Sequence, residues 1–209
     1  TMTMTPERFT FPSQDGAVAL DGWLIKPAGW LDGERYPVVL EVHGGPQMMY
    51  SSQFFFEFQV LAGQGLAVIY TNPRGSQGYG EDWTADIRGH WGEHDFADVM
   101  ALADAALANH PWLDGARMGI AGGSYGGFMT SWAIGHTDRF KAAVSMRAVN
   151  NVQSFFGTSD GGFRWEEVYG GTPWENREAY VRQSPITSVG NVVTPTLVIH
   201  SEEDYRCPL

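Results

Sequence analysis

Five short apolar runs punctuate the chain at Val38–Val42, Leu66–Tyr70, Met118–Ala121, Ala142–Ser145 and Thr196–Ile199. Gly or Pro bounds four of them, and Ala142–Ser145 is the exception. Runs of this length without strict alternation predict strands buried on both faces of a parallel sheet. Between them the period changes. Phe96, Val99, Met100, Ala103 and Leu107 recur every 3.6 residues, with Asp95 placed as an N-cap, and Tyr125, Phe128, Met129, Trp132 and Ala133 do the same. Phe54–Leu61 is more uniformly apolar and predicts a buried helix. Upstream, Val18, Leu20, Trp23 and Ile25 alternate around Asp21-Gly22, which predicts two half-buried antiparallel strands turned at that dipeptide. Strand and helix in alternation predict an α/β fold with a mainly parallel sheet, in which ligands collect at the carboxyl ends of the strands.

Composition narrows the function. With 13 basic against 24 acidic residues the net charge is −11, which argues against nucleic acid as a partner. Seven acids between Glu81 and Asp104 face only Arg88, which predicts a solvated helix face and its loop. No apolar run approaches the ~18 residues of a membrane span. Cys207 is the one cysteine, so no intrachain disulfide forms. With no charged and apolar leader over Thr1–Thr5, the expected location is the cytoplasm.

The residues that follow the apolar runs carry chemistry. Met118–Ala121 leads into Gly122-Gly123-Ser124-Tyr125-Gly126-Gly127 and then into a helical repeat. This is G-x-S-x-G at a strand-to-helix turn, the setting that exposes a serine hydroxyl on strained backbone. The glycines two residues to either side admit the neighbouring strand and helix. A phosphate cradle or a bystander serine is the alternative, but the G-x-G-x-x-G dinucleotide fingerprint is absent. Val38–Val42 ends in His43-Gly44-Gly45-Pro46, where the second oxyanion donor of an α/β-hydrolase resides. The expected donors are the backbone N–H groups of Tyr125 and Gly45, with Gly44 as the alternative. His43 precedes the serine, out of order for a general base, and is expected to brace the loop.

The chain order of this fold is Ser, then Asp or Glu, then His. Asp204 follows the last apolar run and is the expected acid; Glu202, Glu203 and Asp160 are the alternatives. All six histidines precede Asp204. The expectation is therefore one α/β-hydrolase domain over residues 1–209, truncated before the last strand and helix and before the catalytic histidine, and nearly inactive alone.

Together these blocks resemble the catalytic domain of the prolyl oligopeptidase family, most closely its acylaminoacyl-peptidase branch. The resemblance runs from about Phe9 onward. It rests on His43–Pro46, on Asn72–Ser76 with Gly78–Gly80, on Gly122–Gly127 with Met129-Thr130, on Ser184–Ile186 and on His200–Pro208. His43 stands where prolyl oligopeptidase and dipeptidyl-peptidase relatives carry Tyr, which favours a backbone oxyanion donor here. The resemblance implies a serine peptidase acting on short peptides through an acyl-enzyme, without metal or organic cofactor. It also implies an N-terminal β-propeller and a His-bearing C-terminal segment elsewhere in the parent polypeptide, and homo-oligomers. An esterase of the same fold and an exopeptidase removing C-terminal residues are the alternatives. The segment containing Val152, Phe155, Phe156, Phe163 and Trp165 lines the primary specificity pocket in that family, so an apolar pocket is expected. Arg74 and Arg164 are candidates for holding a peptide carbonyl, an acyl group or a carboxylate; pairing with Glu41, Glu166 or Glu167 is the structural alternative.

Overall fold

A computed structural model describes residues 3–209. Seven strands build one mixed sheet: β1 (Glu7–Pro12), β2 (Ala19–Ile25), β3 (Tyr36–Val42), β4 (Ala67–Thr71), β5 (Leu113–Gly123), β6 (Ala142–Met146) and β7 (Thr196–Ile199). Their order is β1-β2-β4-β3-β5-β6-β7. The pairs β1/β2 and β2/β4 are antiparallel, and the pairs from β4 through β7 are parallel. The connections carry α1 (Phe56–Gly63), α2 (Glu81–Ala85), α3 (His94–Asn109), α4 (Tyr125–His136), α5 (Val152–Thr158), α6 (Glu166–Tyr169) and α7 (Arg177–Arg182), with 3-10 turns at Gly162–Trp165 and Pro185–Asn191.

The pleat of β3 explains the layering. Val38, Leu40 and Val42 project into the larger core, with Val99, Leu102 and Ala103 of α3 and Phe128, Met129 and Ala133 of α4. On the other face, Phe58 and Ala62 of α1 pack with Trp23, Ile25, Val68 and Tyr70. Both faces of the central strands are thereby covered, as continuous apolar runs require. Helix α4 is buried nearly all round, which is why its glycines and aromatics do not segregate to one face. Glu41, on the α1 face, is buried with Oε1 unpartnered among the described residues, and burial pushes its carboxyl up to about 8, aided by Glu57.

Four expectations are corrected. First, Asp21-Gly22 is not a turn. One strand, β2, runs through it and pairs with β1, Phe9 lying opposite Gly22. The glycine makes room for that ring, since a Cβ there would stand 2.6 Å from the Phe9 side chain. Second, the helix over Phe54–Leu61 begins at Phe56 and buries only Phe58 and Ala62, while Phe54 and Phe56 are exposed. Third, the acidic stretch is not wholly solvated, because Asp95 and Asp98 are fully buried. Asp95 also lies inside the first turn of α3 instead of at its cap, which Glu93 occupies. Its Oδ1 still accepts the Gly92 and Phe96 N–H groups, at 2.8 and 2.9 Å. Fourth, β7 pairs only with β6 among the described strands, and all four of its residues are exposed there instead of buried on both faces.

Candidate active site

The register of β5 places its end between two neighbours. Val42 of β3 pairs with Gly122, and Met146 of β6 pairs with Gly123. Ser124 then stands at the junction with α4, at φ 61° and ψ −119°. A non-glycine residue in that conformation is strained by roughly 1–3 kcal/mol, held by its surroundings. Those surroundings are backbone. The Ser124 N–H donates to the Met146 carbonyl at 3.0 Å, and the Ser124 carbonyl accepts from the Phe128 N–H at 2.9 Å. The flanking glycines are required by close approach: a Cβ on Gly126 would stand 2.1 Å from the Val42 oxygen, and one on Gly122 2.6 Å from the same atom.

Tyr125 is the first residue of α4, so its N–H lies among the donors that the first helical turn leaves free. Its phenol is buried and donates to Asp95 Oδ2 at 2.6 Å, tying α4 to α3 beside Ser124. Burial pushes the Asp95 carboxyl up to about 7, while the Tyr125 phenol and the Phe96 and Gly92 N–H groups oppose the rise. From the other side comes the loop after β3. Gly45 lines the cleft that holds Ser124, and a Cβ on Gly44 would stand 3.6 Å from the Ser124 Cβ.

His43 braces this loop as expected. The imidazole lies 2.7 Å from the Gly44 carbonyl through Nδ1 and 2.9 Å from Ser76 Oγ through Nε2. A carbonyl only accepts, so Nδ1 carries the proton and Nε2 accepts from the Ser76 hydroxyl. In a trans peptide the Gly44 C=O and the Gly45 N–H point oppositely. Holding the carbonyl therefore aims the amide. Burial pushes His43 down to about 4 from 6.5, against a smaller opposing effect of the Gly44 carbonyl. The folded protein thus keeps His43 neutral while the unfolded chain protonates it below pH ~6.5. Its contribution to stability is complete above that pH and is lost as pH falls toward 4, by roughly 3 kcal/mol in total. Urea midpoints at pH 7, 5.5 and 4.5 should therefore converge between wild type and His43→Asn. Parallel curves would contradict a neutral, buried His43.

The loop after β7 brings up Asp204 and Cys207. Asp204 Oδ1 accepts the Cys207 N–H at 2.8 Å and the Arg206 N–H at 3.1 Å. Its Oδ2 is 3.9 Å from His200 Nε2, beyond hydrogen-bond reach. His200 Nε2 instead meets the Cys207 carbonyl. The Cys207 sulfur stands 3.7 Å from Ser124 Oγ. No imidazole among the described residues forms a hydrogen bond with Ser124. Asp160, the alternative acid, is exposed and paired with Arg206 at 2.6 Å.

A cleft of about 180 Å³ opens at Ser124, walled by Met48, Trp91, Val149, Phe155 and Trp165, with Arg206 and Cys207 closing it. Of the expected pocket residues, Phe155 and Trp165 stand here. Val152 does not; it is fully buried in the core. Phe156 turns to Trp174 and Tyr180. Phe163 is 71% exposed. In a 3-10 turn residues three apart share a side. Gly162 packs against the Phe156 carbonyl, so Trp165 turns inward with it and Phe163 turns out. Arg164 lies over the Phe163 ring and lines a separate open hollow with Glu166 and Glu167. Arg74 is 5% exposed, and its guanidinium is engaged by both Asp98 oxygens at 2.7 and 2.9 Å and by Asp15 at 2.8 Å. It is bound in a structural ion cluster, though with aspartates, not glutamates. Glu167 pairs with Arg88 instead. Trp91, Met48 and Val149 carry no sequence signal for the site. Arg206 and Cys207 lie two and three residues after Asp204, and that proximity is the available clue.

No described helix is long and apolar enough to cross a membrane. A sequence profile of the prolyl oligopeptidase family matches residues 52–209. The chain is 45% identical over 207 residues to a Bacillus subtilis protein described as uncharacterized peptidase YuxL, covering 98% of this chain and 31% of that protein. Dipeptidyl-peptidase 5 of Schizosaccharomyces pombe is 36% identical over 206 residues, covering 96% of this chain and 30% of its own length. Among solved structures, Pyrococcus horikoshii acylaminoacyl peptidase superposes with a TM-score of 0.95 at 41% identity, covering all of this chain and 34% of that one. An acylaminoacyl peptidase in complex with Z-Gly-Gly-Phe-chloromethyl ketone gives 0.94 at 42%, over 99% of this chain and 33% of that one. The chain thus spans about a third of the length of these relatives.

Proposed function

Because the chain belongs to the prolyl oligopeptidase family, we propose that it is the acyl-transfer domain of a serine peptidase hydrolysing short peptides. The observation that carries this reading is Ser124: strained backbone at a strand-to-helix junction, facing a cleft that Tyr125 and Gly45 border. The reading is that Ser124 Oγ attacks the scissile carbonyl carbon and gives its proton to an imidazole. That imidazole comes from polypeptide outside these residues, and Asp204 Oδ2 orients it and stabilises its cationic form. The developing oxyanion rests between the N–H groups of Tyr125 and Gly45, each worth about 3 kcal/mol in the transition state. The imidazolium then protonates the departing amine, and water releases the acyl group by the same steps in reverse roles. Phe155, Trp165 and Met48 favour an apolar side chain on the acyl half. The acylaminoacyl peptidase in complex with Z-Gly-Gly-Phe-chloromethyl ketone, a Phe-bearing compound, supports that choice. Access in the full-length protein is restricted by a propeller and by neighbouring subunits of a homo-oligomer.

In the full-length protein, a fluorophosphonate probe should label Ser124 stoichiometrically, and a peptide anilide should be turned over as well as the intrinsically more reactive ester of the same acyl group. Absence of labelling would overturn the reading; labelling with ester turnover alone would mark an esterase.

A further inference from the structure

Arg147 follows β6 directly, and three features set it apart. Its backbone lies at φ 40°, the one non-glycine residue besides Ser124 with positive φ among the described residues. That conformation is held by its N–H, which donates to the Ile199 carbonyl at the end of β7 at 2.7 Å. Its guanidinium covers Gly123, the residue before the nucleophile, where a Cβ would stand 2.6 Å from an Arg147 nitrogen. No carboxylate among the described residues lies within salt-bridge distance of it. Arg74 and Arg206 both have acidic partners, and Arg164 borders a different hollow. In a chain of net charge −11, an exposed cation with no carboxylate partner among the described residues stands out beside Ser124.

Topology gives this cation a direction. Strands β3 and β6 flank β5 on opposite sides. The loop after β3 brings Gly45, so the attacked carbonyl oxygen points toward the β3 flank. The acyl side chain enters the cleft of Phe155 and Trp165. Arg147 follows β6 beside Gly123 but is not among the residues that line this cleft, so a group that it binds belongs to the half of the substrate outside the acyl pocket. Burial pushes the neighbouring Cys207 thiol up, the Ser124 hydrogen bond opposes this, Asp204 adds to the rise, and the charges of Arg206 and Arg147 pull it down. Arg147 thus lies close enough to the Ser124–Cys207 contact for its charge to be felt there.

Resting on the peptidase reading above, we propose that Arg147 is a specificity residue that binds a carboxylate on the first leaving residue of the substrate. Guanidinium and carboxylate match in a forked, charge-assisted pair. The carboxylate belongs either to a chain terminus or to an acidic side chain. The strained backbone holds the fork against Gly123, one residue from Ser124.

The test uses the full-length protein and three substrates: N-acetyl-Phe-Gly, its C-terminal amide, and N-acetyl-Phe-Asp-amide. Wild type should prefer at least one of the two acids over the neutral amide by about tenfold or more in kcat/KM, mainly through KM. The preferred acid identifies the source of the carboxylate. Arg147→Gln should bring that preference close to one, and Arg147→Lys should retain part of it. Arg147→Gly, which relieves the positive φ, should be at least as stable as wild type by urea midpoint and still lose the preference. An acid preference unchanged in Arg147→Gln, or absent from wild type, overturns the proposal while fluorophosphonate labelling of Ser124 persists. Loss of that labelling in wild type would instead remove the peptidase reading itself.

Discussion

Ser124→Ala is expected to lower the turnover of a peptide anilide by the full-length protein about a millionfold. The substitution removes one oxygen and leaves the Cβ, so the strained turn and its backbone hydrogen bonds to Met146 and Phe128 remain. The loss is thus chemical and not architectural. The surviving oxyanion donors and cleft should still hold residual catalysis of roughly 10³–10⁴ over water. Circular dichroism and urea midpoint should match wild type. A variant retaining more than about a hundredth of wild-type turnover would move the nucleophile elsewhere, contrary to covalent catalysis at this serine.

The second large effect is on stability. Asp98→Ala should cost about 3–5 kcal/mol, because it leaves the Arg74 guanidinium buried without its main partner. Asp98 is fully buried, and it accepts the Arg74 backbone N–H as well as the side chain. It therefore fixes the loop after β4 to α3. Asp15 cannot replace it, since it reaches only Nη1 from an exposed loop. For a domain of this size the loss lowers Tm by roughly 10 °C. Joint replacement of Arg74 by Met and Asp98 by Leu should recover most of the loss, because it removes both charges together. A Tm within 2 °C of wild type for Asp98→Ala alone would mean that the cluster is hydrated in solution.

These two residues also mark what the sequence made legible. Ser124 was readable because its chemistry is local: a strand, a glycine on each side and a helix lie within a few residues. The same holds for His43–Pro46, whose role follows from its place after β3. Asp98 was not readable. Seven acids against one arginine describe a solvated surface when only neighbours in sequence are counted. Its partner Arg74 arrives from 24 residues away. Trp91 and Met48 reach the cleft from separate loops, and no periodicity announces that. Gly22 misled for a related reason. Asp-Gly is a turn signal by backbone preference, yet here the glycine serves the Phe9 ring on the adjoining strand. The pocket segment failed where a short 3-10 turn set the facing of Phe163 and Trp165, since one residue of offset reverses which aromatic enters.

The position of β5 in the sheet bears on how the site withstands thermal motion. Edge strands fray first, opening their amides to solvent exchange at a small fraction of the global unfolding free energy. Here β5 lies inside the sheet with β3 and β6 on either side, so its amides are paired on both flanks. Ser124, at the end of that strand, is thus carried by one of the last described segments to exchange, and the strained bend around it is held by backbone that opens late.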